Sequence, residues 1–302
     1  MKYQEFVDSI LRELSSLYGD DATVSVNTVV CNNNETRDAL HIGFTADNGV
    51  ICPSIYLDSL YEDYTGGQQN LDYYVEAVIQ MRKDYEPNNI MKESVKKLLD
   101  WNSMKHVVYP ILVSQEENER FLAHHVHTPF LDLAVIYEVR LSDDKNGVAS
   151  SKVTHSMLNA YGISKEALHQ QALENMKKDG YEMVDLLYQL FGQFMDDDQE
   201  EQEELSLETG KMYVLSNRSK RHGAACLLYE DFLKENFGNT TAFIIPSSIH
   251  ETLFVPMVDG MTAEVFNQMI CQVNEAEVRA SERLSNHCYL WDGKEQKVKM
   301  VA

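Results

Sequence analysis

Between residues 211 and 302 the chain alternates apolar-strand and amphipathic-helix patterns in a fixed order. A strand at 211–216 is followed by a helix at 223–237, closed by Gly238. Strands at 241–246 and 250–257 come next. Thr262 then starts a helix with Val265, Phe266, Met269, Ile270 and Val273 on one face, and CYLW, Asp292-Gly293 and KVKMV read as a closing hairpin. The order β-α-β-β-α-β-β predicts a ferredoxin-like, split βαβ sheet with helices on one face.

The rest of the chain reads as α+β too. Phe6, Ile10, Leu11, Leu14 and Leu17 recur at helical spacing, and Gly19 ends that helix. Runs at 22–30 and 38–45 are strands around an Asn32-Asn33-Asn34 loop. Residues 50–57 contain Pro53 and read as an edge strand or strand exit, with helices at 70–84 and 90–101. This is a helix plus β-meander module over 1–103. A mixed middle module covers 104–195, with strands at 107–114 and 131–141, one or two helical turns between them, a Ser164-capped helix at 165–178 and further helix at 181–195. Tyr188, Leu190 and Phe191 read as core. Residues 196–204 hold seven acids in nine positions, so 196–210 is expected to be an acidic linker before the module at 211–302.

Composition excludes several classes. The 26 Lys and Arg against 48 Asp and Glu give a net charge of −22, which repels phosphate backbones and anionic membranes. Direct nucleic-acid or membrane binding is therefore not expected. An acidic surface can meet a basic partner, or can simply keep a protein soluble. The five cysteines are scattered, with no CxxC pair, and read as reduced thiols of a cytoplasmic protein. The N-terminus has Glu5 and Asp8 where a signal peptide needs an apolar run, and no stretch approaches the roughly 20 apolar residues of a membrane span.

Three stretches carry candidate chemistry. In Asn217-Arg218-Ser219-Lys220-Arg221-His222-Gly223, three fixed cations and a His precede a predicted helix start. Unpaired N–H groups there can hold a phosphate or carboxylate, which makes Asn217, Arg218, Lys220, Arg221 and Gly223 an anion-binding candidate. The same residues also fit a solvated turn paired with the acids at 196–204. Ser247, Ser248, His250 and Glu251 supply the residue types of acyl transfer. In an extended strand, however, Glu251 points away from Ser248 and His250, and no GxSxG elbow is present. The structural alternative is a Ser-capped turn before a strand. His125 and His127, beside His124, project to one side of an extended chain and can ligate zinc, but no third ligand stands at convincing spacing. Without one they are a polar loop before Pro129. No cofactor is expected.

Several segments together resemble a known family: YLDSLYEDY (56–64), LDLAVIY (131–137), YGISKEALH (161–169), YVLSN (213–217), GAACLLY (223–229) and IPSSIHE (245–251). In this order they are similar to the bacterial domain-of-unknown-function family 5688 and, more distantly, family 1444. The resemblance spans nearly the whole chain. It implies a fold class and brings no assigned activity, cofactor or catalytic residue.

The chain thus reads as a non-catalytic cytosolic binding or regulatory protein, its partner a protein or a small anionic ligand. One alternative is an enzyme, a hydrolase or a phosphate-ligand enzyme, using the 217–223 loop or Ser247, Ser248 and His250. Another is an acidic decoy for a basic, nucleic-acid-binding partner.

Overall fold

The computed structural model describes residues 1–44, 54–67, 69–84, 97–144, 147–191 and 208–301. The acidic run at 196–204, Pro53 and most of the helix expected at 90–101 lie outside the described residues. The chain divides into two compact units, Met1–Cys31 with Glu35–Ser103, and Asn32–Asn34 with Met104–Ala302.

In the first unit, helix α1 (Tyr3–Tyr18) buries Phe6, Val7, Ile10 and Leu14. Leu17 is exposed instead of buried, because Tyr18, four residues after Leu14, takes the core-facing place and meets Phe44 at 5.1 Å. Strands β1 (Ala22–Val30) and β2 (Thr36–Phe44) pair antiparallel from Ala22↔Phe44 to Val30↔Thr36. The asparagine loop turns with Asn33 and Asn34 at positive φ, which Asn tolerates. A two-residue edge strand, β3 (Ile55–Tyr56), joins β2. It leads into α2 (Leu57–Gly66), while α3 (Leu71–Asp84) follows.

The second unit holds two sheets. In the smaller, β6 (Leu133–Asp144) pairs with β4 (Val108–Ser114), with β5 (His127–Phe130) and with β7 (Gly147–Lys152). The histidine segment read as a polar loop therefore supplies a strand: His127↔Ile136 and Thr128↔Val135 are in register. Helix α4 (His155–Tyr161) is capped by Thr154. Helix α5 (Lys165–Asp179) follows, capped by the Ser164 hydroxyl, which accepts from Ala167 N at 3.2 Å. It buries Leu168, Ala172 and Met176. Asn175 sits among them and donates to the carbonyls of Lys105 and Val108.

Residues 181–185 are a strand, not a continuation of helix. Gly180 at φ +79° ends α5, and β8 (Tyr181–Asp185) pairs antiparallel with β9 (Tyr213–Asn217). Leu186–Phe191 is helical after it, residues 192–195 of the expected helix lie outside the described residues, and Tyr188, Leu190 and Phe191 are exposed rather than core. The larger sheet runs β13-β12-β10-β11-β9-β8, with β10 (Ala242–Ile245), β11 (Thr252–Pro256), β12 (Tyr289–Asp292) and β13 (Lys297–Met300). The expected split βαβ is its centre: β11 lies between β9 and β10, antiparallel to both. A ferredoxin-like sheet places its last strand beside its first. Here β8 already covers the outer edge of β9, and β12 joins β10 instead.

Two helix readings change. Residues 223–228 form a 3₁₀ turn of buried small and apolar side chains, and the α-helix α6 begins at Glu230 and ends at Phe237. In α7 (Ala263–Ala276) the buried line is Phe266, Ile270 and Asn274, spaced four apart. Val265, Met269 and Val273 lie on the exposed side.

Candidate functional site

Alternation along β6 puts Glu138 and Arg140 on the same face of the strand. The β6–β7 register sets Lys152 opposite Glu138. Glu138 is fully buried, and burying a carboxylate is costly unless charge and hydrogen bonds compensate. Compensation is in excess. Glu138 Oε2 accepts from Lys152 Nζ in a short contact, and Oε1 accepts from Arg221 Nη2 at 3.0 Å, with Arg140 Nε 3.7 Å away. Three cations thus converge on one carboxylate. Asp179, 3.4 Å from Arg140 Nη1, is the only other acid in an ion pair with them among the described residues. The local sum is one positive charge in a chain of net −22. Arg140 also stacks on Tyr109 at 3.8 Å.

Arg221 reaches this cluster because its loop is tied down. The Asn217 side chain donates to Arg221 O at 2.7 Å and accepts from Arg221 N at 3.0 Å and from Ser219 Oγ at 3.2 Å. Lys220 and His222 both hold positive φ, at 52° and 54°, a conformation that costs free energy for residues other than Gly and concentrates at functional sites. Gly223 has no room for a side chain: a Cβ would lie 2.1 Å from Ser216 Oγ and 2.5 Å from His250 O.

His222 Nδ1 is 3.7 Å from Glu138 Oε2, and its ring stacks on His250 at 5.5 Å with 12° between the planes. The backbone N–H of His222 donates to His250 Nδ1, which fixes His250 as the Nε2–H tautomer. Three buried polar atoms of the cluster, Arg140 Nε, Arg221 Nη1 and His222 Nδ1, have no hydrogen-bond partner among the described residues.

Burial, reinforced by Lys152, Arg221, His250 and Arg140, holds the His222 imidazole down at a pKa of about 2. The unfolded chain takes up a proton below about pH 6.5 and the folded chain does not, so stability falls as pH drops through 6.5. Asn tolerates the positive φ, so His222→Asn isolates the effect. Between about pH 7 and about pH 5, wild type should lose about 2 kcal/mol more unfolding free energy than His222→Asn. Urea titrations at both pH values check this, and equal losses would show that His222 protonates freely in the fold.

The other sequence candidates are placed as follows. Arg218 and Lys220 are exposed, so the loop splits: Arg221 turns inward and they do not. Ser248 Oγ accepts from His250 N at 3.0 Å in a local turn, and Ser248 N donates to Glu251 O. No bond links the Ser248 hydroxyl to the His250 ring, whose Nδ1 is already engaged. Each of His125 and His127 donates Nδ1–H to a carbonyl, of Phe121 and His125 respectively. No group of three His, Cys, Asp or Glu side chains suits a metal ion among the described residues.

Two groupings had not been read from the sequence. Glu138, Arg140 and Lys152 carried one signal, an acid inside the apolar run LAVIYEV at 133–139, where a charge demands a partner. The second grouping is a polar cavity of about 270 Å³ lined by Asp132, Cys271, Asn274, Arg283, Ser285 and His287. Asp132 there accepts from Tyr289 Oη at 2.7 Å, Ser285 Oγ at 3.1 Å and His287 Nδ1 at 3.2 Å. Asp132 and His287 stand 155 residues apart in the chain, with no local pattern to announce the grouping.

Fold and site together define an α+β protein with a cation-rich cluster around one buried carboxylate, and no helix among its described residues is long and apolar enough to cross a membrane. A family model described as a family of unknown function, DUF5688, matches residues 3–293, and the chain belongs to that family. No curated protein and no solved structure matches it.

Proposed function

We propose that this chain is a non-catalytic binding protein of the cytosol whose ligand is a small anion held at the Glu138 cluster. The observation that carries the reading is the pair of buried donors, Arg221 Nη1 and Arg140 Nε, which have no hydrogen-bond partner among the described residues, beside a carboxylate outnumbered by cations. A buried unsatisfied donor costs about 1–3 kcal/mol, and a phosphate or carboxylate oxygen removes that cost. Arg218 and Lys220, exposed in the same loop, attract the anion at long range and lose that influence as salt rises. The free thiols of Cys31, Cys226, Cys271 and Cys288 fit a reducing compartment.

The test is a thermal-shift titration with inorganic phosphate and nucleotides. Ligand at a hundred times its Kd should stabilise by about 2.7 kcal/mol. Arg221→Met should abolish the shift. Arg218→Ala with Lys220→Ala should weaken it at low salt and leave it at high salt. A wild-type protein that does not shift with phosphate or any nucleotide would remove the proposal.

A further inference from the structure

Lys152 is the cluster's nucleophile-bearing residue. Its Nζ contacts Glu138 Oε2, and Arg140 and Arg221 bear on the same carboxylate, so two further cations crowd the ammonium. His222 faces Glu138 from the loop and is neutral. The Lys152 side chain is 28% exposed along its length, against 1% for Glu138. Cationic neighbours favour a neutral lysine amine, and a neutral amine beside a proton acceptor is the arrangement that attacks carbonyl carbon. Burial, aided by Arg221 and Arg140, pushes the ammonium below the ordinary lysine range despite Glu138.

We infer that Lys152 captures an anionic carbonyl compound as a reversible imine, with the ligand's carboxylate or phosphate on Arg221. This rests on the anion-binding reading above and adds the chemical class of the ligand. Glu138 accepts the proton that Nζ sheds. The neutral amine attacks the carbonyl carbon and forms a C–N bond. The two protons left on the nitrogen pass to the carbonyl oxygen, which leaves as water, and the C=N bond remains. Hydrolysis runs the same steps backwards, so no oxidant or reductant is consumed and the ligand is released unchanged.

The experiment uses glyoxylate and, separately, pyridoxal 5′-phosphate as probes, with cyanoborohydride to reduce the imine to a stable secondary amine. Peptide mapping of the full-length wild-type protein should find the adduct on Lys152, formed severalfold faster than on exposed lysines such as Lys177 and Lys211, because more of the Lys152 side chain is present as the neutral amine. Lys152→Arg keeps the charge and should lose this adduct. The wild-type phosphate shift is read in parallel. A phosphate shift with Lys152 labelled no faster than Lys177 overturns the imine and leaves anion binding standing. Absence of both overturns both. Mapping on wild type decides the matter even if the variant fails to fold.

Discussion

Glu138→Gln should lower unfolding free energy by about 3–5 kcal/mol, the cost of breaking a buried ion cluster by removing one side. In the wild type the carboxylate separates Lys152, Arg140 and Arg221 and answers all three. A neutral amide of nearly the same shape keeps the packing and removes the charge. The three cations are then left facing one another with only Asp179, at the edge, to offset them. For a unit of about 200 residues the loss corresponds to a fall in Tm of about 6–20 °C. Replacing the cluster together, Glu138→Leu with Lys152→Met and Arg221→Met, should recover much of the loss, because an apolar set of similar volume carries no desolvation cost. Chemical denaturation of the three proteins checks both expectations. A change below about 1 kcal/mol in Glu138→Gln would mean that water screens the cluster as it does an exposed pair.

The elements that were legible in the sequence are those whose pattern is local. Period-3.6 stripes gave α1 and α5, Ser164 capped where its position predicts, and the run of short strands after 211 fell into a split βαβ. What was not legible depends on partners far along the chain. Tyr181–Asp185 follows a long helix and continues its polar–apolar mixture, yet it pairs with Tyr213–Asn217 because β9 offers a free edge. Val265, Met269 and Val273 satisfy the helical period as well as Phe266 and Ile270 do. Only the placement of β10 and β11 decides which side is buried. The candidate site divides the same way. The cations of the 217–223 loop stood out in an acidic chain. Their distribution between solvent and core did not, because Arg221 is drawn inward by Glu138, 83 residues away. An anion site at a helix terminus needs an α-helix at 223, and packing against Ser216 and His250 forces a buried 3₁₀ turn there instead.

Phe6→Ala should destabilise the first unit by about 3–5 kcal/mol. Phe6 is fully buried and central to an aromatic group, with Tyr64 at 5.2 Å, Tyr61 at 5.5 Å and Tyr74 at 5.9 Å between ring centroids. Each such pair adds about 0.5–1.5 kcal/mol beyond the area it buries. The neighbours cannot close over the void at no cost. Tyr74 is tethered to Asp63 at 2.8 Å and Tyr61 to the Met1 carbonyl at 3.0 Å, so moving either ring breaks a hydrogen bond. The void therefore persists, and the loss sits at the upper end of the range for a large-to-small change. Amide hydrogen exchange reads this unit directly, whatever the second unit does. Amides of α1 and of the β1–β2 ladder that exchange by unfolding of the unit should speed up by about 10³-fold or more. Phe6→Leu fills most of the space and should cost less. Exchange in Phe6→Ala within about tenfold of wild type would mean that the tyrosines repack and that Phe6 does not anchor the unit.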